Sequence, residues 1–204
     1  MKTAVRILMI IAVSTVVFGC SRTGGQPQRS KAELKAAAAI DKDLALKYLH
    51  GVQDGDKQKM YEAANLTTDI VKECREKLIH IKQNKLTENK RLECEHALRI
   101  SGNIDFIAAK MIKMLPKSAS FQITQTTPTD LPDGTRKAEH SVRVTYSSKE
   151  DAVHDKTGKP VKELVLPLLQ ISRSVNGLWI HDFSFNSKDF EKIANKDFEV
   201  LSYF

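Results

Sequence analysis

The chain has 204 residues, 28% of them charged and 41% hydrophobic, with 32 Lys and Arg against 25 Asp and Glu. That length builds one hydrophobic core, or one core with a helical appendage, rather than a string of domains. The net charge is +7; Lys2 and Arg6 supply two of those charges, and the segment Lys72–Lys117, with eleven Lys/Arg against six Asp/Glu, matches the excess left without them.

Lys2 and Arg6 precede an apolar run from Ile7 to Phe18. About a dozen residues are too few for a membrane-spanning helix and suit the apolar region of a secretory signal. Val17-Phe18-Gly19-Cys20 closes the run and resembles the lipobox of bacterial lipoproteins. A branched residue stands three before the cysteine and a small one directly before it; Phe18, between them, is larger than that family usually carries. The resemblance implies that residues 1–19 are a signal peptide, that Cys20 is lipidated and that the protein is anchored in the cell envelope. Ser21 beside the lipidated cysteine implies, in a Gram-negative cell, the periplasmic face of the outer membrane. The partners expected there are the membrane and an unknown protein or small-molecule ligand, and the compartment excludes nucleic acid. Residues 20–29 are polar with Gly24, Gly25 and Pro27, a tether reaching roughly 15–20 Å as a flexible coil.

A single α+β domain is expected over residues 30–204, its helical part over 30–116. Ser30-Lys31-Ala32-Glu33 has the S-x-x-E form of a capping box and starts a helix. Its stripe is Leu34, Ala37, Ala38, Ala45, Tyr48, Leu49 and Val52, interrupted by Asp41. Gly51, Gly55 and the pair Asp54 and Asp56 end it and cap a short helix, Lys57–Ala64. Thr67 or Thr68 caps a third helix with Val71, Cys74, Leu78 and Ile81 inward, and a fourth begins near Thr87 with Leu92, Leu98 and Cys94 inward. Ser101-Gly102-Asn103 reads as a break before a last helix that carries Ile104–Leu115 and stops at Pro116.

From Ser118 the hydrophobic period becomes two, and an antiparallel sheet is expected over 118–185. Phe121, Ile123 and Gln125 alternate with polar neighbours, then Asp133-Gly134 turns the chain. His140–Ser147 places Val142, Val144 and Tyr146 on one face. Glu163–Ser174 is apolar on both faces, with Pro167 pointing to a bulge or an edge. Asn176-Gly177 is a strong hairpin signal, Leu178–Phe185 returns as the fourth strand, and residues 187–204 form a short helix and a tail. Helices followed by strands argue an α+β fold with the helices on one face of a curved four-stranded antiparallel sheet.

Tyr48-Leu49-His50-Gly51-Val52-Gln53-Asp54-Gly55-Asp56 resembles the end of the first helix of NTF2-like domains, and Asn176-Gly177-Leu178-Trp179-Ile180 resembles their late hairpin. The resemblance implies a cone whose concave face holds a ligand or catalytic groups. The helical block Thr67–Leu115 exceeds what that family needs, so the resemblance implies that it contains an insertion, a helical hairpin, or an elaborated helical layer.

Cys74 and Cys94 are left as a pair if Cys20 is lipidated, in a compartment where disulfides persist. A bridge across the hairpin, two free buried thiols, and a metal site with His80 and His96 are the alternatives; the closely spaced Cys pairs of structural zinc are missing. No nucleophile elbow, P-loop, H-E-x-x-H or EF-hand pattern occurs, so no catalytic residue, metal or cofactor is assigned. A pocket in the cone would draw on Trp179, His181, Asp182 and Tyr146. His181 and Asp182 are adjacent in a strand and point to opposite faces, so they form no facing dyad. His140 and His154 read as solvent-exposed, at a strand start and a turn, and Asp41 and Asp43 diverge on their helix. Lys72, Lys82, Lys85, Lys90 and Arg91 are the candidate basic surface, for an anionic membrane or polymer. The function expected is a lipid-anchored protein presenting a binding domain. The alternatives are an NTF2-like enzyme of isomerase, dehydratase or hydrolase type, and anionic-surface binding through the basic block.

Overall fold

The computed structural model describes residues 30–79, 86–175 and 178–204. Within them the fold is α+β, with five helices and a curled antiparallel sheet of five strands. Val17-Phe18-Gly19-Cys20 and Asn176-Gly177 lie outside the described residues, as do His80, Ile81, Lys82 and Lys85.

The helix signals translate directly into structure. α1 spans Lys31–Asp54, and its capping box is complete: Ser30 Oγ accepts from Glu33 N–H while the Glu33 carboxylate accepts from Ser30 N–H at 2.7 Å. Gly55 ends it at φ 71°, a left-handed conformation that a glycine adopts at little cost. The next donor, Asp56 N–H, closes back on Gly51 C=O, and the Asp56 carboxylate then caps α2 (Lys57–Ala63). α3 is Thr68–Ile79, with Thr67 Oγ1 accepting from Ile70 N–H. α4 is Glu88–Met111, capped by Thr87.

α4 runs straight through Gly102, where a break was expected. The reason is phase: Ala97, Ile100, Ile104, Ile107 and Met111 continue a three–four spacing across the glycine, and all are buried. Ser101 is pinned as well, its hydroxyl sharing a 2.8 Å hydrogen bond with buried Tyr61. Cys94 points inward as expected, but Leu92 is exposed.

The strands are β1 (Ser120–Asp130), β2 (Arg136–Thr145), β3 (Val161–Val175), β4 (Leu178–Ser184) and, after α5 (Ser187–Ala194), β5 (Glu199–Tyr203). The order is β1-β2-β3-β4, with β5 beside β3. β4 and β5 share one edge of β3: β5 pairs with Val161–Val165 and β4 with Leu169–Val175. β5 corrects the four-strand expectation, in which its residues were a tail. Pro167 falls in the gap between these two partners, where an absent donor costs least. It is neither on an outer strand nor at a bulge; the register shifts lie in β1, between Ile123 and Gln125, and at the start of β3, between Val161 and Leu164. The second face of β3 is only half covered, with Val165, Leu169 and Ile171 partly exposed, which corrects the reading of two buried faces.

The inner face of the sheet is divided. One half is apolar, with Ile123, Val142, Val144, Leu164, Leu166 and Leu168 buried; the other carries His140, Gln170, Ser172 and His181, also buried. α1 crosses both halves. Tyr48 stacks on Phe183 with ring centroids 4.5 Å apart, and Asp41 reaches the polar half. β4 lies between two helices: Phe183 faces Tyr48 of α1, whereas Asp182 meets Asn103 of α4. That explains four consecutive buried residues, Ile180–Phe183, in one strand.

Candidate functional site

Asp41 is the organising residue of the polar half. It occupies a core phase of the α1 stripe, between Ala37 and Ala45, and is fully buried, while Asp43 is exposed. Its Oδ1 accepts from Arg136 Nη2 at 2.8 Å and from Gln170 Nε2 at 3.1 Å. A buried carboxylate needs such partners, because desolvation would otherwise cost several kcal/mol, of the order of 2–7 for even a neutral polar group.

The remaining contacts fix the proton positions. Gln170 gives its amide hydrogens to Asp41 and to Ser172 Oγ (3.2 Å), so its Oε1 is the acceptor for His140 Nε2–H at 3.2 Å. His140 Nδ1 then accepts from the Thr126 hydroxyl at 3.0 Å. Ser172 Oγ and His181 Nδ1 share a hydrogen bond at 2.8 Å. Burial lowers the pKa of His140, and it carries that of His181 down to about 4, with the Arg136 guanidinium adding to the effect. Both imidazoles are therefore neutral at neutral pH. His140 is buried within β2, which corrects the expectation of a solvent-exposed strand start; His154 is exposed at its turn as expected.

Ser172 and His181 have the spacing of a nucleophile and its base, but the rest of that chemistry is missing. An imidazole with a pKa near 4 is a weak base, and Asp182 projects from the other side of β4 instead of orienting the ring. Asp182 is buried, its carboxylate accepting from Asn103 Nδ2 at 3.1 Å. Burial raises its pKa, opposed by Asn103 and by the charges of Arg99 and Arg173. None of the four described cavities is lined by Asp41, Gln170, Ser172, His181 or Asp182. The network is a polar core that locks α1 onto β2 and β3.

The expected pocket residues separate accordingly. Trp179 and His181 share a face of β4 and meet through Arg136, whose guanidinium lies 5.4 Å from the Trp179 ring centroid. Trp179 is otherwise exposed, and its carbonyl accepts from Asn65 Nδ2 at 2.7 Å, which covers the outer edge of β4 together with a bond from His181 N–H to Ala64 C=O. Asp182 faces α4. Tyr146 is buried just beyond β2, its hydroxyl donating to Met114 C=O at 2.8 Å, at the apolar end of the sheet. Asp41, Arg136, Gln170 and Ser172 were missed, although each is a polar residue standing in a core phase of its own element.

Cys74 and Cys94 are buried, unbridged thiols that face each other across the α3–α4 hairpin. Burial first, then the neighbouring Cys94, pushes the Cys74 thiol up to about 12. Two residues of the candidate basic surface meet acids, Lys90 with Glu93 at 2.7 Å and Arg91 with both Glu88 and Glu95, and nearby Lys77 meets Glu73. Lys72 is exposed on α3. Among the described residues no group of three or more His, Cys, Asp or Glu is placed to hold a metal ion.

No protein-family model matches the chain, and no curated protein and no solved structure matches it.

Proposed function

We propose that this is a lipid-anchored envelope protein that presents an NTF2-like domain as a binding module. The observation that carries the reading is Val17-Phe18-Gly19-Cys20 at the end of a short apolar run with Lys2 and Arg6 before it, followed by a polar tether. A curled antiparallel sheet wrapped on α1 supports the cone-like fold. α1 and the polar network pack on the inner face of the sheet and none of the four described cavities is lined by His181 or Asp182, so binding is assigned elsewhere on the domain and an enzyme built on those two residues is the second reading. Two residues of the candidate basic surface, Lys90 and Arg91, are ion-paired to neighbouring acids, which makes binding to an anionic surface the third reading. Cys74 and Cys94 are proposed to oxidise to a bridge in the exported protein, where disulfides persist; the two thiols interact across the hairpin but do not stand at disulfide distance, so the bridge needs a small shift of α3 against α4.

Membrane fractionation of a Cys20→Ala variant tests the anchor. The wild-type chain is expected in the lipid fraction after high-salt washing, and the variant is expected to lose acyl labelling entirely. Equal labelling of both with a fatty-acid precursor would refute lipidation at Cys20.

A further inference from the structure

The largest of the four described cavities, about 530 Å³, lies beneath α5, the helix that carries the chain from β4 to β5 along the shared edge of β3. Its volume is that of an ordinary small-ligand site, about 300–1,000 Å³. The interior is apolar and aromatic, lined by Met114, Val153, Phe185, Phe190, Ile193 and Phe198. Its charged lining is mainly cationic: Lys110 and Lys113 at the end of α4, and Lys196 just after α5. The one carboxylate, Asp151, accepts from the hydroxyls of Ser118 at 2.7 Å and Ser148 at 3.3 Å.

Lys196 is the most telling of these residues. α5 ends in a left-handed turn, with Lys196 N–H bonded to Ile193 C=O and Asp197 N–H to Lys192 C=O. Lys196 occupies the position that glycine normally takes there, at φ 56°. A side chain is conformationally costly at that point, and the one present lines the cavity. α5 itself has no fully buried residue and is held through Phe190, which stacks on Phe106 of α4 at 6.0 Å, and through Ile193. An element fixed by so few apolar contacts opens at low free energy, which gives a ligand a way in.

We infer that this cavity binds a single-chain anionic amphiphile, its acyl chain among the aromatic residues and its carboxylate or phosphate head at Lys110, Lys113 and Lys196. The site names the ligand class for the binding domain proposed above and rests on that reading. The acyl chain replaces water against apolar walls, and the head meets three ammonium groups at the exposed rim.

The test is photocrosslinking on the full chain in its own membranes, with a diazirine-bearing long-chain fatty acid, its methyl ester, and a lysophosphatidic acid of the same chain length. Peptide mapping is expected to place the crosslinks on the segment 185–198, with the ester labelling far less than either acid. Whichever acid competes out the other identifies the head group, and either one supports the site. Reversing two rim charges in Lys113→Glu/Lys196→Glu is expected to lower labelling about tenfold, and Ile193→Trp, which fills the cavity, to lower it whatever the head group. Both lysines are exposed, so the double variant should retain the wild-type melting curve. Crosslinks spread over other segments, or an ester that labels as well as the acids, would overturn the inference. The intact mass of the same sample separates it from the anchor: a lipidated chain without labelling removes the site alone, and an unlipidated chain with labelling removes the anchor alone.

Discussion

Asp41 shows how one residue can decide the packing of a helix. Its carboxylate is fully buried and engages Arg136, whose side chain is 13% exposed, so removal strands a cation in a poorly hydrated place. Asp41→Ala is expected to destabilise the fold by about 3–5 kcal/mol in urea denaturation, the usual cost of breaking a buried pair. A loss below about 1 kcal/mol would show that the pair is solvated in the native state. His181 gives the acid response. Its folded pKa of about 4 lies below the 6.5 of a free imidazole, so between those values the unfolded chain takes the proton first. Stability is fully present above about pH 6.5 and falls as the pH drops toward 4, by on the order of 3 kcal/mol. His140 acts in the same direction. Asp182, whose pKa burial raises from its ordinary value, acts in the opposite direction just above that value. Urea midpoints measured between pH 4 and 7 should therefore slope downward on acidification, and His181→Gln should flatten most of the slope. A profile unchanged by that substitution would place the titration elsewhere.

Capping chemistry made the elements readable, and tertiary packing hid the rest. Ser30, Gly55, Asp56 and Thr87 each begin or end a helix where local hydrogen bonding dictates. Gly102 misled because a glycine breaks a helix only when nothing else holds it, and here the flanking apolar residues stay in phase. β5 was hidden because Glu199–Tyr203 is half exposed and acquires strand structure by pairing with distant Val161–Val165. The polar half of the sheet could be seen as polar residues in core phases, but which of them meet depends on strand register and on the path of α1. Two glycines test this account. A Cβ at Gly102 would touch nothing within 4 Å, so Gly102→Ala should stabilise α4 by about 0.5–1 kcal/mol. A Cβ at Gly51 would stand 2.8 Å from Met60 Cγ and 3.0 Å from Met60 N, so Gly51→Ala should cost about 1–3 kcal/mol. Thermal melts that ranked the two variants in the reverse order would contradict the assigned helix–helix approach.

At the scale of the whole molecule, the proposed function joins a membrane address to a domain whose inner sheet face is packed against α1 and the polar network. In that proposal acyl chains and a tether supply location and reach, and the packed inner face of the curled sheet places the proposed binding site under α5. The measurement that bears most directly on this account is the intact mass of the detergent-extracted native protein, before and after reduction and alkylation. The account predicts a chain that starts at Cys20 and carries acyl chains, with two thiols alkylated only after reduction. A chain that retains Met1, or one starting at Cys20 without added acyl mass, would contradict the anchor on which the proposed function stands. Thiols that react before reduction would contradict the bridge between Cys74 and Cys94.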